Sequence, residues 1–148
     1  QQKAFKEQIS WAKEFDLPIV IHARNSYKEI FKILDEENSS SLSGVFHCFS
    51  STLKDAQHIL EYGNFKLGIG GVVTFKNSGL DKIVKEIDIE NILLETDAPY
   101  LTPAPFRGKR NKSSYVTLIA NKLSDIYQIS FEEIGKITTK NAENIFNL

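Results

Sequence analysis

The sequence predicts an α/β chain in which four parallel strands, each followed by a helix, form the C-terminal half of a (β/α)8 TIM barrel. Three observations lead there. Short apolar runs alternate with amphipathic stretches, and the junctions carry turn and capping residues. The polar residues of chemical interest all lie just past the C-terminal ends of the apolar runs, which in a parallel sheet is one face. A whole barrel takes about 250 residues and eight strands, and this chain has 148 residues. Residues 1–148 therefore read as half of one barrel domain, incomplete by itself. Because no methionine opens the chain, further coding sequence is expected upstream of Gln1. A small open parallel sheet is the alternative architecture, and the convergence of polar residues at one end favours the barrel.

The elements follow in order. Phe5, Ile9 and Ala12 share one face of an opening helix, and Leu17–Ile21 ("LPIVI") is a buried strand that tolerates Pro18 at its start. Ser26 with Glu29 reads as a capping box for a helix carrying Tyr27, Phe31 and Leu34 on one side. Val45–Cys48 is the next strand. Thr52 with Asp55 caps a helix that turns Leu53, Ala56 and Leu60 inward and stops at Gly63. Phe65–Ile69 is the third strand, Leu80, Ile83, Val84 and Ile87 mark the helix after it, and Ile92–Leu94 is the fourth strand. A loop of about fifteen residues then runs through three prolines, a length that in a packed domain usually has a task. Val116, Ile119 and Leu123 begin a long helix, Ser130 with Glu133 caps another, and Ala142, Ile145 and Phe146 mark a further, closing one.

Composition narrows the function classes. With 41% apolar and 25% charged residues the chain has enough apolar side chains for a core, which excludes a disordered segment. No apolar run approaches the eighteen or so residues of a membrane span, and no membrane partner is expected. The one cysteine, Cys48, cannot form an internal disulfide and suits a reducing compartment, so a cytoplasmic location is expected. A net charge of −1 means that a nucleic-acid partner would have to be held by a local patch, and "FRGKRNK" at 106–112 is such a patch.

His22 directly follows the first strand, His47 lies at the end of the second, and Asp97 lies just beyond the fourth. Taken singly, each histidine reads as a hydrogen-bonded strand-end residue. Together with Asp97 they read as a metal site, because carboxylates at the end of a buried strand are costly unless a positive partner compensates them, and imidazole with carboxylate suits zinc, manganese or a similar ion. Glu95 is open to three roles: ligand, ion-pair partner, or a carboxylate that hydrogen-bonds a ligand and orients it. The last is preferred. Arg24 either binds phosphate oxygens or neutralises a surface carboxylate, with its strand-end position favouring phosphate. Arg107, Lys109, Arg110 and Lys112 sit in the loop after the fourth strand, where barrel enzymes often bind phosphate. His58 falls on a polar helix face with Lys54, Asp55, Glu61 and Tyr62 and reads as solvated. "LGIGGVV" lacks the spacing of a dinucleotide-binding turn, so its glycines are assigned to close packing and turning.

In order and spacing, "LPIVIHARNS", "GVFHCFS", "LGIGGVVTF", "ILLETDAPYLTPAPFRGKRN" and "ITTKNAENIFNL" resemble the TatD family of metal-dependent deoxyribonucleases across essentially the whole chain. The resemblance implies a metallo-dependent hydrolase on a TIM barrel that cuts DNA phosphodiesters with divalent ions (Mg, Mn or Zn, two in the complete site). It further implies a 3′–5′ exonuclease acting on single-stranded ends, with a role in DNA repair. By position, His22 and His47 match the family's metal-binding histidines and Asp97 its catalytic metal-site aspartate. The family's H-x-H pair and middle-strand glutamate have no counterpart here, and where members commonly read Asn-Glu-Pro this chain reads "NKSSY" from Asn111. The expectation is weak metal binding and little activity for these residues alone. Open sheet edges would favour a homodimer or association with the missing N-terminal half. Two other readings are an amidohydrolase-type enzyme acting on an amide or lactone, and a non-catalytic half-barrel interaction module.

Overall fold

A computed structural model describes residues 1–148. Helix α1 (Gln2–Phe15) leads into β1 (Ile19–His22), α2 (Tyr27–Glu37), β2 (Gly44–His47), α3 (Leu53–Glu61) and β3 (Phe65–Ile69). A short 3-10 turn (Gly71–Thr74) and α4 (Leu80–Lys85) precede β4 (Ile92–Leu94), and α5 (Val116–Tyr127) and α6 (Phe131–Phe146) follow the long loop. All strand pairs are parallel and the spatial order is the chain order, β1-β2-β3-β4. Each connection therefore has to travel back along the sheet, which is why a helix lies between successive strands.

Alternation along the strands sorts the side chains onto two faces. Ile21, Phe46, Phe65, Leu67, Ile69 and Ile92 join helix residues such as Ile9, Leu34, Ile59, Val84 and Ile119 in a core of 24 buried residues. The intervening positions Val45 and Leu93 point the other way and pack with Ile145, flanked by Ala142 and Phe146. The last turns of α6 thus cover the inner face of the sheet below the strand ends. On the free edge of β1, Val20 remains 60% exposed, and Trp11, Phe15 and Leu17 before it in sequence are also at least half exposed, in keeping with the open edge expected of a partial barrel.

Several local expectations change. The Ser26–Glu29 capping box does not form: Ser26 has φ −134° and ψ 13° and its side chain makes no cap bond, so α2 starts on the backbone bond from Ile30 N–H to the Ser26 carbonyl, 3.0 Å. Thr52 and Asp55 do form the reciprocal box, and Ser130 accepts from the Glu133 N–H. Gly63, at φ +85°, takes the left-handed turn that ends the α3 segment. The two closing helices are one. Nothing between Phe131 and Phe146 breaks the helix, and Asn141, at its centre and 2% exposed, donates to the carbonyls of Ile89 (2.9 Å) and Ile92 (2.8 Å), pinning α6 to β4. His58 is not simply solvated: its ring packs on Phe31 (4.4 Å between centroids) and its Nε2 lies 2.9 Å from Asp35 Oδ1, which also accepts from Tyr62. It clamps α2 to α3. Burial, together with the Asp35 and Glu61 charges, pushes the Tyr62 phenol up.

Candidate metal centre

The β1–β2 register sets His22 opposite His47, with ring centroids 5.9 Å apart. Glu95 directly continues β4 after Leu94, and alternation puts its side chain on the same inner face as Leu93 and His47. Its Oε1 lies 2.9 Å from His47 Nδ1 and accepts the Cys48 N–H at 2.6 Å. Asp97 Oδ1 lies 3.3 Å from His47 Nε2. The two carboxylates therefore bracket one imidazole, from opposite ring nitrogens.

Gly68 makes this possible. A Cβ there would overlap Glu95 Oε2, so the absence of a side chain on β3 opens the space in which the carboxylate crosses the sheet end. Gly71 does the same for the next segment, since a Cβ on it would run into the Leu101 carbonyl. Both glycines of "LGIGG" that matter here serve close packing.

The donor set fits a small divalent cation. A neutral imidazole donates from one nitrogen only, and the nearer carboxylate, Glu95, claims Nδ1–H. The Nε2 lone pair then faces Asp97 Oδ1, an approach of two electron-rich atoms that a proton or cation between them makes favourable. Their 3.3 Å separation is close to the edge of a tetrahedron built with metal–donor bonds of about 2.1 Å, roughly 3.4 Å. In this arrangement Glu95 fixes the tautomer and plane of His47 by hydrogen bonding. Histidine, cysteine and glutamate donors of His47, Cys48 and Glu95 also lie within 4.8 Å of one another. Burial and the Glu95 and Asp97 charges push the Cys48 thiol up to about 12, so with no cation beside it the thiol stays protonated near neutrality. In the sequence Cys48 speaks only to the redox compartment, and its position immediately after a strand-end histidine is the signal that it shares the site.

His22 is more exposed than His47 and makes no hydrogen bond to the Glu95–His47–Asp97 group. With Arg24 it lines a broad concavity along the free edge of β1, together with Phe5, Val20 and Ile30. Arg24 has no carboxylate within ion-pair distance.

The loop after β4 is tied down at many points. The Tyr100 N–H donates to the Asp97 carbonyl at 2.6 Å, and Asn111, 3% exposed, donates from its N–H to the Pro99 carbonyl (3.0 Å) and from Nδ2 to the Tyr100 carbonyl (2.6 Å). Thr102 Oγ1 donates to the Lys109 carbonyl, and Thr74 Oγ1 accepts the Ala104 N–H at 2.8 Å. Arg107 stacks over Phe75, 3.7 Å from the ring centroid, and donates to the Thr102 carbonyl. Phe106 stacks on Tyr115 at 4.9 Å, with Lys109 Nζ 5.7 Å from its ring. None of Arg107, Lys109, Arg110 and Lys112 pairs with a carboxylate, which leaves four cations displayed on an ordered frame.

A family model described as TatD related DNase matches residues 1–147. The chain is 44% identical over 149 residues to YabD of Bacillus subtilis, an uncharacterised metal-dependent hydrolase, covering all of this chain and 58% of that protein. It is 32% identical to YcfH of Escherichia coli K12, another protein so described, covering 56% of it. Among solved structures it superposes on YjjV, a TatD homologue of Escherichia coli K12, with a TM-score of 0.88 and 27% identity, over 96% of this chain and 54% of that one. The chain thus spans about half the length of the relatives it matches.

Proposed function

We propose, since the chain belongs to the TatD-related DNase family, that the protein hydrolyses phosphodiester bonds of DNA at a divalent-metal centre held by His22, His47 and Asp97. The observation that supports this reading is a juxtaposition: cation-binding donors at the strand ends adjoin a loop of four unpaired cations, joined to them through the Asp97–Tyr100 turn. A cation site beside an anion site is what a metal-dependent enzyme acting on phosphate esters requires, whereas an amide or lactone has no charge for the basic loop to hold.

A bound divalent ion would supply Lewis acidity toward a phosphoryl oxygen and a water acidic enough to attack near neutral pH. The residues of this chain do the rest. Glu95 holds the His47 ring with Nε2 turned toward Asp97 Oδ1, so that these two atoms would hold the ion. Asp97 Oδ2 takes no hydrogen bond from the protein, so it is the oxygen positioned to accept the proton of the attacking water. Arg24 and the cations of the 106–112 segment bind the phosphates on either side of the scissile bond and fix its orientation.

Asp97→Ala in the full gene product tests the reading. Wild-type protein is expected to cleave an end-labelled single-stranded oligonucleotide with Mn2+ or Mg2+, to stop in EDTA, and to resume when metal is restored. Asp97→Ala is expected to lose at least about a hundredfold, the upper end of what even an indirect metal partner costs. Turnover near the wild-type level in the variant would remove Asp97 from the chemistry, and hydrolysis of amide or lactone substrates in place of DNA would overturn the assigned substrate. The 148 residues alone are expected to bind the ion weakly and turn over little.

A further inference from the structure

We propose that Tyr100 is a nucleobase-stacking platform that makes the site select unpaired nucleotides, an inference that rests on the nucleic-acid reading above. Tyr100 is 70% exposed, the most exposed aromatic side chain of the protein. The other aromatics of its loop are engaged: Phe106 with Tyr115, and Phe75 under Arg107. The Tyr100 ring has no such partner, and its hydroxyl makes no hydrogen bond.

An exposed ring on a floppy tip would mean little, but this one stands on a fixed base. The Tyr100 N–H is bonded to the Asp97 carbonyl and the Tyr100 carbonyl to the buried Asn111 side chain, both at 2.6 Å. The following residue, Leu101, is held at φ +49°, a conformation leucine keeps only where its surroundings enforce it. Its carbonyl rests on Gly71. A rigid, exposed aromatic with two rotatable bonds loses little entropy on binding, which is what a stacking surface needs.

The neighbours identify the occupant. Asp97, the proposed ligand, lies at the start of the same turn, and Asn111, which holds the Tyr100 carbonyl, has Arg110 and Lys112 as its chain neighbours. The turn that carries the ring thus begins at a carboxylate suited to a cation and is hydrogen-bonded to a segment that carries two cations. A nucleotide matches this: its phosphate goes to the metal and the cations, and its base goes to the ring. Stacking on an exposed ring needs a base released from pairing, so the device favours single-stranded or frayed ends.

The test is binding, separate from cleavage. With the full gene product in EDTA, fluorescence anisotropy compares a labelled eight-nucleotide oligothymidylate with the same backbone made abasic. Wild-type protein is expected to prefer the base-bearing strand by about five- to 150-fold, the range of one stacked base. Tyr100→Ala is expected to erase that preference, leaving abasic binding and the thermal midpoint unchanged, while Tyr100→Trp keeps the preference. Equal binding of both strands by wild type, an undiminished preference in Tyr100→Ala, or a Tyr100→Ala midpoint lowered by several degrees would each overturn the stacking role while leaving DNA as the substrate. Binding of neither strand, in EDTA and again with Ca2+ restored, would overturn the nucleic-acid reading, and this inference with it.

Discussion

Gly68→Ala separates what the inner sheet end does for the site from what it does for the fold. A methyl at Gly68 would overlap Glu95 Oε2, lie 2.7 Å from the Glu95 carboxyl carbon and stand 3.3 Å from the Phe46 carbonyl oxygen. The carboxylate ends a rotatable side chain, so it is the group that yields, and it must back away by about 1 Å to reach ordinary contact. That displacement pulls Oε1 from the Cys48 N–H at 2.6 Å and from His47 Nδ1 at 2.9 Å. Losing the group that orients a histidine ligand weakens metal affinity about 10- to 100-fold, or roughly 1.4–2.7 kcal/mol. Folding is weakened too, because each hydrogen bond the carboxylate loses contributes about 1.5–3 kcal/mol while replacing glycine by alanine returns only about 0.4–1 kcal/mol through the unfolded chain.

Gly44→Ala is the control. Its methyl would land on the Ile19 carbonyl oxygen of the neighbouring strand, which is backbone and cannot swing aside. The β1–β2 pair must part, at a cost at or above the usual 1–3 kcal/mol of overpacking. Calorimetric titration with Mn2+ or Zn2+ and urea unfolding of both variants decide the matter. Both variants should lower the urea midpoint, but only Gly68→Ala should lose metal affinity in the folded protein, because the Gly44 methyl meets the Ile19 backbone and not Glu95. Wild-type metal affinity in Gly68→Ala would refute the claim that Glu95 orients His47 for metal.

Two further perturbations probe the scaffold. Asn141→Ala leaves the carbonyls of Ile89 and Ile92 without their donor and should cost about 1–3 kcal/mol. Asn141→Asp, which turns a buried acceptor toward them, should cost more, about 3–5 kcal/mol; equal urea midpoints for the two would refute the donor role. At Asp55, burial works to raise the carboxyl, but hydrogen bonds from Ser51 and Thr52 outweigh it and hold the group below the usual aspartate range. A depressed folded-state value gives stability that is fully present above the unfolded aspartate value of about 3.9 and is lost as pH falls through the folded one. Asp55→Ala should therefore destabilise α3 by about 1 kcal/mol at pH 7. The difference from wild type in urea unfolding should shrink as pH falls from the unfolded aspartate value of about 3.9 through the lowered folded one, and a gap that persists unchanged at low pH would refute the cap's ionic origin.

Much of the molecule is legible in the residue order because it depends on local chemistry. The runs Phe65–Ile69 and Ile92–Leu94 became strands with those bounds, Leu17–Ile21 and Val45–Cys48 became Ile19–His22 and Gly44–His47, and the Thr52–Asp55 box formed, since all of these rest on neighbours a few residues away. The Ser26–Glu29 box failed for a local reason the pattern does not encode: Asn25 enters at φ +54° and turns Ser26 out of capping geometry. Ala142, Ile145 and Phe146 were legible as an apolar helical face, but not as the end of the helix that starts at Phe131. What that face meets, Val45 and Leu93 on the inner side of the sheet, is set by packing across some fifty and a hundred residues.

The sequence by itself determined which chemistry is available: two strand-end histidines, Asp97 and Glu95 beyond the fourth strand, and a basic loop, all carried to one end by the common direction of parallel strands. Only the tertiary structure decided how they meet. Strand alternation gives Glu95 its face, and the space above Gly68, on a different strand, is what lets its carboxylate reach His47 Nδ1 while Asp97 takes Nε2. Periodicity fixes the face a side chain leaves from, whereas its final position depends on the volume that distant residues leave unfilled.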